Sequence, residues 1–388
     1  MTQPSVDLSK TIPSQPTSST GEGELALGKN ETGLPLLLPR GFSINLFAKD
    51  LETPRSIRIA PDGTVMIAEP NAGRISSLPD RDNDGVSDGR VTVADSLERP
   101  HDFLFYPSES GYDLFVAETS ALSRMRLNTD FTRAESYRVL TPLPTGGRHW
   151  TRSLEFAPTG KGEERLLISI GSSCDACHEE DARRGTVQSV RLDGSDLKPY
   201  SVGLLNAVFL EASPNGAIWA TEMGRDFLGD DLPPDEINIL DEGKNYGWPT
   251  CYGKNVHDTV FDKNTYIRNP CMEPFETPSH IDLPAHSAPL GLAFVPKDAG
   301  WPEEYVGNLL VAYHGSWNQT VPTGYAIRRF VLDENGNATS NEDFVSGWLT
   351  DQGVLGRPAD LTFGSDGTLY ITDDKTGLIY RITPPKAE

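Results

Sequence analysis

IRIAPDGTVMIAE, residues 57–69, is a short alternating apolar strand, a Pro-Asp-Gly turn and a second apolar strand that ends on a carboxylate. The phrase returns as FLFYPSESGYDLFVAE (103–118), LEFAPTGKGEERLLISIG (154–171), FLEASPNGAIWATE (209–222), LAFVPKDAGWPEEYVGNLLVAYHG (292–315) and LTFGSDGTLYITDD (361–374). Apolar runs of this length bounded by Pro, Gly and Asp favour strands joined by tight turns, so each copy reads as a β-hairpin. One such unit cannot bury both of its faces. Radial stacking about an axis does bury them, which predicts an all-β, six-bladed β-propeller with a single site on the axis.

The copies begin roughly 45 to 80 residues apart, so with blades of about 45 residues the surplus falls mainly in the third to fifth units, where functional loops are expected. No long helical periodicity interrupts the pattern. The 36 glycines and 30 prolines in 388 residues suit short strands and many turns. Residues 41–385 therefore read as one propeller domain. Residues 1–40, rich in Ser, Thr, Pro and Gln, read as a disordered arm or linker. GFSINLFAKDL (41–51) alternates like a strand and is expected to supply the outer strand that closes the ring against the last blade.

The formal net charge is −22. A chain this acidic repels phosphate backbones and anionic lipid heads, so nucleic acid is not an expected partner. No apolar run is long enough to span a bilayer, so no membrane insertion is expected. The N-terminus lacks a basic-then-apolar signal pattern, so an exported protein is expected to have lost its leader from this sequence.

The informative polar residues stand just before the first strand of each unit, where propeller blades turn toward the channel. In order these entrances are Pro-Arg55-Ser, Arg-Pro-His101, His149-Trp-Thr-Arg152, Leu205-Asn206, His286-Ser-Ala-Pro and Gly-Arg357-Pro. Superposed, they form a ring of Arg, His and Asn about the axis. Guanidinium groups pair carboxylates with bidentate geometry, so such a ring in an acidic protein points to a bound polyanion. Individual members could instead bond the carbonyls of neighbouring blades.

Asp80-Arg-Asp82-Asn-Asp84-Gly85-Val-Ser-Asp88 places oxygen ligands at alternate positions around a turn glycine, the spacing of a calcium loop. It lacks the terminal bidentate glutamate and the helices of an EF-hand, and a solvated acidic hairpin is the competing account. Cys174-Asp-Ala-Cys177-His178 matches the spacing of covalent haem attachment, but a loop disulfide or paired thiols fit its place in the third blade better. A disulfide between Cys251 and Cys271 would staple an insertion after the fourth blade over the channel mouth, and cysteine use of this kind favours a periplasmic or extracellular location. In His314-Gly-Ser-Trp317-Asn318, Trp317 is placed to stack on a ligand ring, or else to pack in the core.

GGRHWTRS (146–153), GSSCDAC (171–177), TEMGRDFLGDDLPPDEIN (221–238), NYGWPTCYG (245–253), LPAHSAPLGLAF (283–294), HGSWN (314–318) and GRPADL (356–361) resemble the soluble quinoprotein sugar dehydrogenases, in particular the glucose/sorbosone dehydrogenase branch. The resemblance spans residues 40 to 385. It implies a six-bladed propeller that holds pyrroloquinoline quinone (PQQ) and calcium on the axis and oxidises the anomeric or aldehyde carbon of sugars. PQQ is a tricarboxylate, which suits the cationic ring. By the same resemblance His149 is the base that takes the substrate's hydroxyl proton. Arg55, Arg152 and Arg357 meet the cofactor carboxylates, with His101, His286 and His314 beside them, and Asn206 lies near the quinone. The carbonyls of Gly224 and Arg225 are the calcium ligands. The electron acceptor stays unnamed.

The chain departs from the family pattern near the axis. Leu205 stands where an arginine is usual, Phe209 and Asp102 where glycines are usual, and Met223 where a polar amide is common. These changes predict weakened or re-formed cofactor binding and low activity on simple aldoses. The alternative function is a degenerate propeller that binds a carbohydrate or another partner without redox chemistry. Lactone hydrolysis at an axial calcium is a third class that only the axis itself recommends.

Overall fold

The computed structural model describes residues 27–109, 111–158, 163–272, 274 and 276–385. Apart from two short two-stranded ribbons, its strands form six successive sheets, the first five built in chain order from an innermost to an outermost strand and the sixth completed by strands from the start of the chain. The first sheet comprises Ile57–Ile59, Val65–Glu69, Arg74–Leu78 and Val91–Ala94. The next four begin at Asp102–Ser108, Leu154–Phe156, Ala207–Ala212 and Pro289–Phe294, and the sixth at Pro358–Phe363. The opening strand of each sheet touches those of the sheets before and after it, and the sixth touches the first. That cycle closes a six-bladed propeller.

Each repeated phrase is the inner hairpin of a blade. In the first, Gly63 lies at φ +91°, its N–H donates to the Ala60 carbonyl, and the Asp62 carboxylate accepts the Thr64 N–H at 2.9 Å. Asp366 and Gly367 repeat the arrangement in the sixth blade. Between blades lie six apolar clusters, one at every blade-to-blade face; Val208, Trp219, Leu292, Val311 and Phe330, for example, join the fourth blade to the fifth. Burying a side chain of this size is worth about 1.5 to 3 kcal/mol, and it holds the ring with no α-helix among the described residues.

The ring closes as the sequence predicts: Ser43–Ala48 pairs antiparallel with Leu378–Thr383 as an outer strand of the sixth blade. The expected arm boundary at residue 40 requires correction, because Lys29–Asn30 adds a parallel fifth strand against Ser43 and Ile44. The run LPLLLP at 34–39 explains it: Leu36 and Leu38 are buried beside Phe42, Trp301 and Phe344. The rest of the expected arm, residues 1–26, lies outside the described residues. The stapled insertion is also relocated. It falls within the fourth blade, between Asp235–Leu240 and Ile281–Leu283, and the Cys251–Cys271 disulfide ties its base.

Candidate active site

The carboxylate that ends many of the hairpins fixes the entrance segments. Glu69 accepts the Glu52 N–H at 2.8 Å, Glu118 the Glu98 N–H at 2.7 Å, Glu222 the Asn206 N–H at 3.0 Å, and Asp373 the Arg357 N–H at 3.0 Å. The inner edge of the blade thereby holds the chain that feeds the axis, and these acids are structural.

A cavity of about 530 Å³ opens between the entrances and exits of blades 1, 2, 5 and 6. Arg55, Arg99, Arg357 and Lys375 line it with Trp150, Tyr325 and His314, and Asp374 is the one carboxylate on its wall. Asp374 accepts from Arg55 Nη1 at 2.6 Å and from His314 Nε2 at 2.8 Å, joining the first, fifth and sixth blades. Burial would raise this carboxyl, but His314 and Arg55 outweigh it and hold it well below the usual range. Arg357 Nη2 donates to the Gly315 and Ser316 carbonyls at 2.6 and 2.9 Å. Gly315, at φ +95°, is required there because a Cβ would fall 2.4 Å from the Tyr325 ring. The Arg99 guanidinium lies 3.9 Å from the centre of the Trp150 ring. A cationic pocket in a chain of net charge −22 is suited to a polycarboxylate.

His149 adjoins Trp150 and is half-buried. Its Nδ1 faces the Ser172 hydroxyl at 2.8 Å and the Ser172 carbonyl at 3.2 Å, and that hydroxyl in turn donates to the Cys174 carbonyl at 2.6 Å. With the hydroxyl proton spent on Cys174, both Ser172 oxygens act as acceptors toward the ring. Nδ1 therefore carries the hydrogen and Nε2 the lone pair. Burial, followed by the charge of Arg148, pulls the imidazole down to about 4, so it is neutral across the physiological range. Gly171 permits the approach of its neighbours: a Cβ there would meet Asn206 Oδ1 at 2.4 Å and His149 Cβ at 2.6 Å.

Beside His149, Asn206 accepts the Thr151 hydroxyl at 3.0 Å, and its amide lies 3.9 Å from the sulfur of Met223. Gly224 packs so closely on Pro233 and Pro234 that a Cβ would lie 2.7 Å from the Pro234 carbonyl. The Arg225 guanidinium turns away onto Asp258 at 2.8 Å. Among the described residues no donor is bonded to the Gly224 or Arg225 carbonyls, as ligands for a cation require. The buried Glu222 beside them keeps one carboxylate oxygen without a partner. Burial and the neighbouring Glu236 raise its carboxyl well above the usual value.

Several expected members of the ring do not reach the cavity. Arg152 is buried, donating to the carbonyls of Pro144, His149 and Thr151, while burial and Arg184 lower its guanidinium to about 9. It clamps the loop that carries His149. His101 is fully buried with Nδ1 on the Arg152 carbonyl at 3.0 Å and Nε2 facing Arg55 Nε at 3.5 Å, so it backs Arg55 from beneath. Phe209 fills the space below it at 5.0 Å between ring centres. Asp102 brings no charge to the pocket, since its buried carboxylate pairs with Arg58 at 3.0 Å. Leu205 is 3% exposed and lines a narrow cleft with Glu222 and Met223 rather than the cationic cavity. His286 holds the Gly229 carbonyl at 2.9 Å. Trp317 is neither core nor cavity wall: it is 64% exposed on the rim.

Asp80, Asp82 and Asp84 converge with ligand atoms within 4.8 Å of one another, whereas Asp88 turns to Arg81. Cys174 and Cys177 form a disulfide, which excludes them from haem attachment. Arg99, Trp150, Tyr325 and Lys375 were missed in the sequence. Arg99 carried a readable signal, since it stands two residues before His101 at the second entrance.

The family model described as TrAA12-like matches residues 36–385. The chain is 24% identical over 387 residues to the aldose sugar dehydrogenase YliI of Escherichia coli K12, covering 89% of this chain and 94% of that protein. The calcium structure of the carbohydrate-active enzyme family AA12 protein of Trichoderma reesei superposes with a TM-score of 0.75 at 20% identity, covering 91% and 99% of the two chains. The holo form of the pyranose dehydrogenase PQQ domain from Coprinopsis cinerea gives 0.74 at 18% identity over 92% and 98%. Among the described residues no helix is long and apolar enough to cross a membrane.

Proposed function

The chain belongs to the TrAA12-like family, and on that premise we propose that it is a PQQ-dependent dehydrogenase oxidising aldose sugars or related aldehydes. The observation that carries this reading is the axial cavity, where four cationic side chains face a single carboxylate. That donor set fits a planar tricarboxylate: Arg55, Arg99, Arg357 and Lys375 for its carboxylates, Trp150 and Tyr325 for its faces. The free carbonyls of Gly224 and Arg225 fit calcium. Bound there, PQQ supplies a hydride-accepting quinone and calcium a Lewis acid.

His149 holds a lone pair at Nε2 and takes the proton of the substrate hydroxyl as hydride leaves the same carbon. Ser172 fixes its tautomer, and Arg152 and Arg184 fix its loop through main-chain carbonyls. Leu205 brings no cationic charge to its own cleft, while Arg99 and Lys375 add theirs to the separate cationic cavity. Two disulfides support a periplasmic or extracellular site of action. The Asp80, Asp82 and Asp84 cluster is a second, structural calcium candidate. Calorimetric titration is expected to lose one calcium heat in Asp82→Ala, and equal heats in variant and parent would discard it.

Titrating the apo-protein with PQQ and calcium is expected to give an absorbance band at micromolar cofactor that aldoses bleach. No binding at that concentration would overturn the quinoprotein reading and leave the carbohydrate-binding alternative.

A further inference from the structure

Phe227 and Trp317 are 69% and 64% exposed, and their rings meet edge to face with centroids 6.3 Å apart. Two large aromatic side chains side by side in water mark a binding surface rather than a packing remnant. The backbone makes a specific effort to put one of them there: Phe227 adopts φ +66°, a conformation that a bulky side chain rarely takes and that concentrates at ligand sites.

The pair is preorganised. Asn318, next to Trp317, donates to Asp226, next to Phe227, at 2.7 Å. Gln319 donates to the Asp230 carbonyl at 2.6 Å, so the two loops move as one. The platform is also continuous with the chemistry. Arg148, the residue before His149, pairs with Asp226 and lies 5.8 Å from the Phe227 ring centre. Trp317 follows His314 of the cavity wall after only Gly315 and Ser316.

We propose that Phe227 and Trp317 form an outer sugar subsite, which holds the second pyranose ring of an oligosaccharide whose reducing end enters the cavity. The axial C–H face of a pyranose presents weakly positive hydrogens to the negative face of an aromatic ring, while its equatorial hydroxyls reach sideways. Arg148 and Asp226 supply donors and acceptors at that edge. The subsite rests on the sugar dehydrogenase reading above and narrows its substrate class from free aldoses to oligosaccharides.

The test is calorimetric binding of glucose, maltotriose and cellotriose to the full-length protein without cofactor, in parent, Phe227→Ala and Trp317→Ala. At least one trisaccharide is expected to bind about tenfold more tightly than glucose in the parent. Each variant is expected to lose that advantage with unchanged Tm. Equal affinity for glucose and both trisaccharides, or an advantage retained in both variants, overturns the subsite. Variants that keep trisaccharide binding but lose reduction of added cytochrome c would assign the platform to a protein electron acceptor and overturn it likewise. Trisaccharide binding in a protein that fails to take up PQQ leaves the subsite standing and removes the redox reading. Oxidation of glucose by the reconstituted enzyme without trisaccharide preference does the reverse.

Discussion

The two halves of the channel mouth are built for different tasks. On the side of blades 5, 6, 1 and 2, cationic groups are presented with their charges balanced or spread: Arg55 on Asp374, Arg357 on two carbonyls, Arg99 over Trp150. On the side of blades 3 and 4 lie an imidazole held uncharged and, among the described residues, two carbonyls without donors and a glutamate with one unpartnered oxygen, next to the Arg148–Asp226 and Arg225–Asp258 pairs. The first half can hold an anion. The second can move a proton and accept a cation.

The sharpest way to break this division is His149→Ala, expected to lower kcat by roughly 10²- to 10⁴-fold while PQQ affinity, read by absorbance titration, stays within a few fold. A large loss of affinity would erase the distinction between the halves. Arg357→Ala is the mirror experiment, and should weaken PQQ binding by about 10- to 100-fold with a smaller effect on turnover of the loaded fraction. Ser172→Ala removes the nearer of the two oxygens that Nδ1 faces, leaving the Ser172 carbonyl, and should cost about tenfold in kcat without changing cofactor affinity. Since burial and Arg148 lower the imidazole to about 4, its basic form is present above that pH. The acid limb of kcat/KM should therefore fall below the ordinary histidine value, and a limb at that value would contradict the burial of His149.

The smallest effect concerns Glu222. Its carboxyl is raised in the fold by burial and Glu236, so the folded state holds a proton that the unfolded chain has released. Stability from this group is present at low pH and is lost as pH rises through the folded value. In calcium-free buffer Glu222→Gln should match the parent Tm at acidic pH and exceed it at alkaline pH. Parallel pH curves would show that the carboxyl ionises freely in the fold.

The hairpins were legible because period-two apolar residues and Asp-Gly turns are local properties. The entrances were legible as places, and Arg55, His149 and Arg357 follow from them. Which residue at an entrance turns to the axis was not, because successive side chains of an extended chain point to opposite sides. Hence Arg152 lies beneath the pocket; Arg99 and His101 are two residues apart and would share a side in an extended chain, yet Arg99 lines the pocket and His101 is buried beneath it. Arg99 sits at φ +49°, a left-handed conformation that no residue type announces except glycine. His286 at φ +61° was misplaced for the same reason. The acids that end four of the six hairpins were visible, but their task of gripping the main chain that leads into the same hairpin needed the hydrogen bonds.

The strand Ser43–Ala48 zips onto Leu378–Thr383, a stretch from before the first blade onto the outer strand of the last. The cationic cavity straddles that seam, with Arg55 on one bank and Asp374 and Lys375 on the other. A growing chain therefore lacks this cationic cavity until the sixth blade is made, however many blades have already formed. Such distant pairing is slow to find, and a polyanion seated across the seam would act as a clasp on a finished bracelet.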